Sequence, residues 1–318
     1  MKAMILAAGL GTRLRPLTDT RPKALVEING RTLLEITLSR LRDVGVNEVI
    51  INVHHFADMV IGYLKSKNNF GMRIEISRED DLLLDTGGGL KKAAWFFLEH
   101  YQRTAKKKPS TVIPSVARNP GKASTPSNSD QNPDASGNAD ERFLLHNVDV
   151  ISTIDFSRML QFHTESHALA TLAVQARASS RLLLFNDQLQ LRGRRIAGKD
   201  TVLPVPRRGA IPSQPADAGE ARDPGRTFAQ PNSDQTPPAL ASDSLHALAF
   251  SGIHVISPRL LRMMTEQGVF SIIDTYLRLA AQGEKILAFR ADEYYWRDLG
   301  RPSDLSQAAH DLQQNILL

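Results

Sequence analysis

The sequence predicts an α/β fold: a mostly parallel mixed sheet covered by helices on both faces. Three observations predict it. From Lys2 to about Tyr101, apolar strand patterns alternate with helical ones. The first strand, Lys2 to Ala8, runs into the glycine-bearing cationic loop AAGLGTRLRPLTDTRPKAL rather than into a tight turn or a helix. A later apolar strand, RFLLHNVDV, also ends in polar residues. In open α/β sheets, ligands collect at such strand ends.

The elements follow in order. LLEITLSRLRDVG carries Leu33, Ile36, Leu38 and Leu41 near helical spacing, with Gly45 as its stop. EVIINV, Glu48 to Val53, is a second strand, ADMVIGYLKSK a second helix and MRIEIS a third, alternating strand. GGGLKKAAWFFLEHY reads as a helix opened by a glycine turn, with Trp95, Phe96 and Phe97 as core. Beyond RFLLHNVDV, DFSRMLQFHTES is helical and ALATLAVQA a strand. RLLLF and QLQLRG flank a hairpin turn at Asn186-Asp187. HALAFSGIHVIS is strand-like; helices follow at PRLLRMMTEQ and SIIDTYLRLAAQG. KILAFRA and EYYWRDLG read as a closing pair of strands before a last amphipathic helix.

Two stretches break this pattern, at about 103–140 and 198–242. The first is rich in Pro, Ser, Asn, Lys and Ala and the second is of the same kind, rich in Pro and Ala; both are too poor in large apolar residues to offset their ordering entropy. They share a cassette: RNPGKASTPSNSDQNP from Arg118 matches RDPGRTFAQPNSDQTP from Arg222. Both read as disordered surface insertions in one domain spanning 1–318. Without them roughly 230 residues remain, the size of one large α/β domain.

Composition excludes several functions. The chain has no cysteine, so disulfides, thiolate metal sites and a cysteine nucleophile are out. Net charge is +5, but the cations are dispersed and aromatics make up only 6%, which argues against nucleic acid as a partner. No signal peptide and no stretch of about 18 apolar residues is present, so a cytoplasmic protein without a membrane partner is expected. Monomer and homo-oligomer both stay open.

The chemistry concentrates in the first loop. Gly9 and Gly11 remove two Cβ atoms and let backbone N–H groups approach an anion. Arg13, Arg15, Arg21 and Lys23 follow closely. A solvated turn has little reason to gather cations beside glycines; a triphosphate site does. The loop lacks the Gly-Lys-Ser/Thr of a Walker loop and the third glycine of a dinucleotide fingerprint. Asp149 and Asp298 each lie just past a strand. Each reads either as a capping or turn residue, or as one of two carboxylates meeting over Mg²⁺. Gly87, Gly88 and Gly89 read either as a helix lead-in or as a wall without side chains for a flat base. His54-His55, lacking a nearby third ligand, and Glu79 to Asp81 read as structural, the latter as a solvated loop.

AAGLGTRLRPLTDTRPKAL resembles the nucleotide-binding signature of the sugar-1-phosphate nucleotidylyltransferases, with Ala24 in place of a proline. DTGGG, NVDV, FSGIHV and WRDLGRPSDL are similar to further segments of that family, so the resemblance covers nearly the whole chain outside the insertions. It implies a Rossmann-like three-layer sandwich with a small sugar-binding lobe. It implies a Mg²⁺-dependent enzyme joining an NTP to a sugar 1-phosphate, with pyrophosphate as the second product. By resemblance, Ala7, Ala8, Gly9, Gly11, Thr12, Thr86, Gly87 and Gly88 would bind nucleotide, and Asn147 and Gly252 the sugar. Arg13 would act at the scissile bridge and Lys23 beside it, with Asp149 and Asp298 as metal ligands. AAGLGTR with DTGGG looks most like the short uridylyltransferases of N-acetylmuramate 1-phosphate, which points to UTP. Similar short chains pair GTP with mannose or heptose 1-phosphate, and a non-catalytic nucleotide-sugar-binding regulatory protein is the alternative of another class. The family's Glu-Lys-Pro lysine for the sugar phosphate is not recognisable; Arg177 or Arg181 stands nearest to that segment.

Overall fold

The computed structural model describes residues 1–98, 142–203 and 244–314. The first insertion, 103–140, and most of the second lie outside the described residues. The second was expected from 198; Lys199–Val202 instead pairs as a strand against Gly193 to Ile196.

Strands β1 (Lys2–Leu6), β2 (Glu48–Val53), β3 (Arg73–Arg78) and β4 (Phe143–Asn147) form a parallel array in the order β4-β1-β2-β3. Helices α1 (Leu33–Asp43), α2 (Ala57–Ser66) and α3 (Asp85–Lys92) belong to this half. Thr32 opens α1 by accepting the Glu35 N–H at 3.1 Å, which satisfies one orphan donor of the first turn.

The other half of the sheet is largely antiparallel. After a short strand β5 (Val150–Ser152) and helix α4 (Phe156–Glu165) come β6 (Ala170–Gln175), β7 (Arg181–Phe185), β8 (Leu191–Ile196) and β9 (Lys199–Val202). The long β10 (His246–Ile256) runs antiparallel to β4, β6 and β7 and so joins the halves. The small lobe expected beside the sheet is this β7–β9 meander, continuous with the sheet itself. Helix α5 (Ile272–Ala281) and strand β11 (Ile286–Arg290), parallel to β6, follow. Strand β12 (Trp296–Asp298) and helix α6 (Pro302–Gln313) close the described chain.

Two expectations change. KILAFRA and EYYWRDLG do not pair with each other: β11 lies on β6, and β12 lies antiparallel on β5. The helix expected at PRLLRMMTEQ is a single turn, Arg259–Arg262.

Strand side chains alternate between two cores, as a two-faced sheet requires. Ala3, Ile5, Val49, Ile51 and Leu144 face α1, α2, α4 and α6. Met4, Ile50, Phe143 and Leu145 face α3 and α5, with Phe96 and Phe97. The result is three layers. Trp95 lies outside both cores, 45% exposed, against the expectation for the Trp-Phe-Phe run. Among the described residues, no helix is long and apolar enough to cross a membrane.

Candidate active site

Strand β1 ends at Leu6, and the loop turns sharply at Gly11, whose φ of 64° suits glycine. A Cβ there would sit 2.9 Å from Thr18 Cγ2 and 3.2 Å from Lys23 Cβ, so the close approach also requires glycine. Thr18 donates its hydroxyl to the Gly11 carbonyl at 2.9 Å and folds the loop back on itself. Thr12 opens a helical turn, Thr12–Leu14. The fold-back buries Lys23, which is only 7% exposed.

A polar relay fixes the strand ends. The Ala7 N–H donates to Asn52 Oδ1 at 2.8 Å, Asn52 Nδ2 donates to Glu79 Oε1 at 2.8 Å, and Glu79 Oε2 accepts the Leu84 N–H at 2.9 Å. One carboxylate thereby ties β1, β2 and the lead into α3. Glu79, expected in a solvated loop, is 1% exposed. Its acceptors are satisfied by two donors, which makes burial tolerable. His54 faces the Glu79 carbonyl through Nδ1.

Over these strand ends lies a cavity of about 380 Å³. The expected residues Ala7, Ala8, Gly9, Lys23, Thr86, Asn147 and Asp149 line it, together with Asn52, Glu79 and Asp85. Asn52, Glu79 and Asp85 were not assigned to the site from the sequence. The signal available for Asn52 was a lone polar side chain within the apolar run Val49 to Val53.

The charged groups converge at one side. Lys23 Nζ meets Asp149 Oδ2 at 2.5 Å. Asp298 arrives from the far end of the chain because β12 pairs with β5: Asp298 lies opposite Val150, and the Leu299 N–H donates to the Asp149 carbonyl at 2.8 Å. Arg13 reaches over from its loop to 4.0 Å from Asp298 Oδ2. Burial first, then the neighbouring Asp149 charge, push the Asp298 carboxyl above its usual range, against the pull of Lys23 and Arg13. Asp298 Oδ1 is buried without a hydrogen-bond partner.

That orphaned oxygen tests the fit of a cation. Two adjacent carboxylates, one with an unused buried oxygen, suit a hard divalent ion completed by phosphate oxygens and water. Among the described residues, no group of three or more His, Cys, Asp or Glu could hold a metal alone. The donor set fits a Mg²⁺ shared with a phosphate substrate.

Three expected residues sit differently. Gly87 and Gly88 do not precede α3; they lie within it. Their open faces pack on the segment 268–270: a Cβ on Gly87 would meet the Phe270 ring at 2.4 Å, and one on Gly88 the Gly268 carbonyl at 2.5 Å. The lead-in turn is therefore corrected to a helix body, and Thr86 and Asp85 line the cavity beside it. Thr86 also accepts the Ile272 N–H at 3.0 Å through Oγ1, tying α3 to α5. Gly252, with φ 74°, stands behind Asn147; a Cβ there would lie 2.9 Å from Asn147 Nδ2.

The family profile described as nucleotidyl transferase matches residues 2–115. N-acetylmuramate alpha-1-phosphate uridylyltransferase of Caulobacter vibrioides is 52% identical over 93 residues, which are 29% of this chain and 38% of that protein. UTP–glucose-1-phosphate uridylyltransferase of Synechocystis is 39% identical over 104 residues, 30% of this chain and 27% of that protein. The chain thus matches less than two-fifths of the length of these relatives. The crystal structure of HddC from Yersinia pseudotuberculosis superposes over 98% of this chain and 99% of its own, with TM-score 0.59 and 17% identity, a likeness of fold.

Proposed function

We propose, from the match of residues 2–115 to the nucleotidyl transferase profile, that the protein transfers a nucleotidyl group from an NTP to a sugar 1-phosphate. The first substrate pair to test is UTP with N-acetylmuramate 1-phosphate, by the likeness of the N-terminal segment to the Caulobacter uridylyltransferase. The observation that carries the reading is the meeting of Lys23, Asp149, Asp298 and Arg13 beside a cavity at the ends of parallel strands.

The chemistry asks little covalent work of the protein. A phosphate oxygen of the sugar 1-phosphate bonds to the α-phosphorus, and the bond to the bridging oxygen breaks. Pyrophosphate leaves with the electron pair. No proton need move, because the nucleophile is already an anion. The enzyme's task is to align two anions and offset their charge. The Gly9–Gly11 turn leaves room for phosphate against the backbone. Lys23, held in place by Asp149, presents a fixed cation beside the reacting phosphates. Arg13 approaches from the rim and covers the leaving pyrophosphate. Asp149 and Asp298 would hold Mg²⁺, which supplies charge neutralisation between the two phosphates.

A screen tests this directly: four NTPs against a panel of sugar 1-phosphates, followed by pyrophosphate release with and without Mg²⁺. Mg²⁺-dependent release with UTP and N-acetylmuramate 1-phosphate is the expected result. Release with GTP and a mannose or heptose 1-phosphate would move the specificity and keep the reaction. Absence of release with every pair would sink the reading.

A further inference from the structure

Gly300 follows Asp298 by two residues, in the turn between β12 and α6. Its conformation does not ask for glycine, because its φ lies outside the left-handed region. Its surroundings do. A Cβ built on Gly300 would stand 2.6 Å from Nη2, 2.8 Å from Cζ and 3.1 Å from Nη1 of Arg13. All three distances fall inside the roughly 3.5–4.0 Å of ordinary contact. Three atoms of one guanidinium lie that close, so the group as a whole rests against bare backbone. A methyl on Gly300 and the guanidinium in this place exclude each other.

The backbone is fixed on both sides of this contact. Beside Arg13, Leu14 is fully buried, and Thr18 ties the loop to the Gly11 carbonyl at 2.9 Å. Beside Gly300, Leu299 is fully buried and its N–H bonds the Asp149 carbonyl at 2.8 Å. Pro302 then opens α6, and α6 is latched back to β12: Arg297 Nη2 and the Tyr295 hydroxyl both donate to Asp311 Oδ2, at 3.2 Å and 2.6 Å. What can move is the Arg13 side chain, 60% exposed. A long exposed arginine samples many rotamers, and an ion pair to Asp298 at 4.0 Å is too loose to choose among them. The bare face of Gly300 supplies the second constraint.

We propose that Gly300 is a positioning residue: its side-chain-free face seats the Arg13 guanidinium beside Asp298, ready for the charge that develops during nucleotidyl transfer. This rests on the reaction proposed above and names what keeps its exposed cation in place. Stabilising a developing charge takes a donor already placed, not one that is merely near.

The test is a double-mutant cycle on the full chain, with turnover measured on the substrate pair accepted in the screen and folding followed by thermal melting. Gly300→Ala is expected to hold the parent Tm, because the exposed end of Arg13 swings aside, and to lower kcat by about ten- to a hundredfold. In the Arg13→Ala background the same change is expected to alter kcat by less than about twofold, because the seat then has no occupant. Gly62→Ala, which adds a methyl into open space on α2, is the control and is expected to match the parent. If Gly300→Ala melts early, Arg13→Ala is expected to restore its Tm by removing the atoms that the methyl meets. An unchanged kcat in Gly300→Ala would overturn the assignment. So would a loss of kcat or of Tm that persists in the Arg13→Ala background, which would place the effect in the Asp298 turn itself. Either result leaves the reaction standing. A parent protein that turns over no sugar 1-phosphate would remove the reaction and this assignment together.

Discussion

Arg13 stands at the rim of the candidate site, its side chain 60% exposed and 4.0 Å from Asp298. An ion pair at that distance and exposure contributes little to stability. Under the proposed reaction its value lies in charge that develops during attack, and such an interaction affects turnover more than binding. Arg13→Ala is expected to lower kcat by about 10² to 10⁴ with a smaller loss of NTP affinity, and Arg13→Lys to recover part of it. Arg21, exposed on the same loop, is the control: Arg21→Ala should change kcat by less than about tenfold. Equal losses at the two positions would reduce the loop to diffuse positive charge. Asp298 carries a second prediction. Its folded pKa is raised by burial and then by Asp149. The folded protein therefore holds that proton more tightly than the unfolded chain, and stability falls as pH rises through the raised value. At neutral pH the ligand-free protein bears this cost in full. Asp298→Asn is expected to raise the ligand-free Tm at pH 7, with the gain shrinking toward pH 4, and to abolish Mg²⁺-dependent turnover. A lower Tm at pH 7 would contradict the sign. At this scale the sequence was informative where chemistry is local: glycines and cations in one loop suggested a phosphate site. Glu79 was missed because its burial depends on Asn52 and Leu84, and nothing in the Glu-Asp-Asp run announces those partners.

Helix α3 shows how an element can depart from its local sequence. Gly87, Gly88 and Gly89 are poor helix formers and read as the turn before a helix. Yet they form its body, because α3 must lie close to the segment around Phe270. The Gly87 N–H bonds the Phe270 carbonyl at 2.9 Å, and Asp85 starts the helix at φ 59°. Tertiary contact overrides propensity here. Two opposing effects on Gly87→Ala can be compared. Alanine in a helix interior gains about 1 kcal/mol over glycine. A Cβ at 2.4 Å from the Phe270 ring and 2.9 Å from its carbonyl oxygen forces overpacking, which costs about 1–3 kcal/mol. The backbone oxygen cannot swing away as a flexible side chain would. Gly87→Ala is therefore expected to destabilise by about 1 kcal/mol in urea unfolding, the middle of the roughly 0–2 kcal/mol net of those two effects. An unchanged or higher midpoint would mean that α3 shifts freely. Strand β12 makes the same point about pairing: its pattern reads as a strand, but the choice of β5 over β11 as partner is set by topology and not by any local signal.

Across the whole molecule, the alternation of periods identified the layered sheet, because two-faced burial forces that pattern. The joining of distant carboxylates was less visible: Asp149 and Asp298 meet only because β12 crosses to β5. The two low-complexity stretches are set apart by composition alone, and the structure around them makes a test of the insertion reading possible. Phe97 and Phe143, either side of the first stretch, stack with ring centroids 3.8 Å apart. The chain ends flanking that stretch are therefore already neighbours. At the second, Val202, Gly193, Leu184 and Ala247 stand in register across adjacent strands. Three strand spacings separate the flanking ends, about 14 Å. Deleting Gly209 to Pro238 leaves about ten residues between Leu203 and Ser244, able to span about 33 Å. Loop closure grows only logarithmically in cost with length, so shortening neither strains the ends nor costs appreciable entropy. Neither stretch is flanked by cavity-lining residues. Deleting Lys107 to Asn138 and Gly209 to Pro238 together is thus expected to leave turnover within a few-fold and the unfolding midpoint nearly unchanged. A loss above about a hundredfold, roughly 2.7 kcal/mol of barrier, in a variant that still folds would give these segments a part in the reaction.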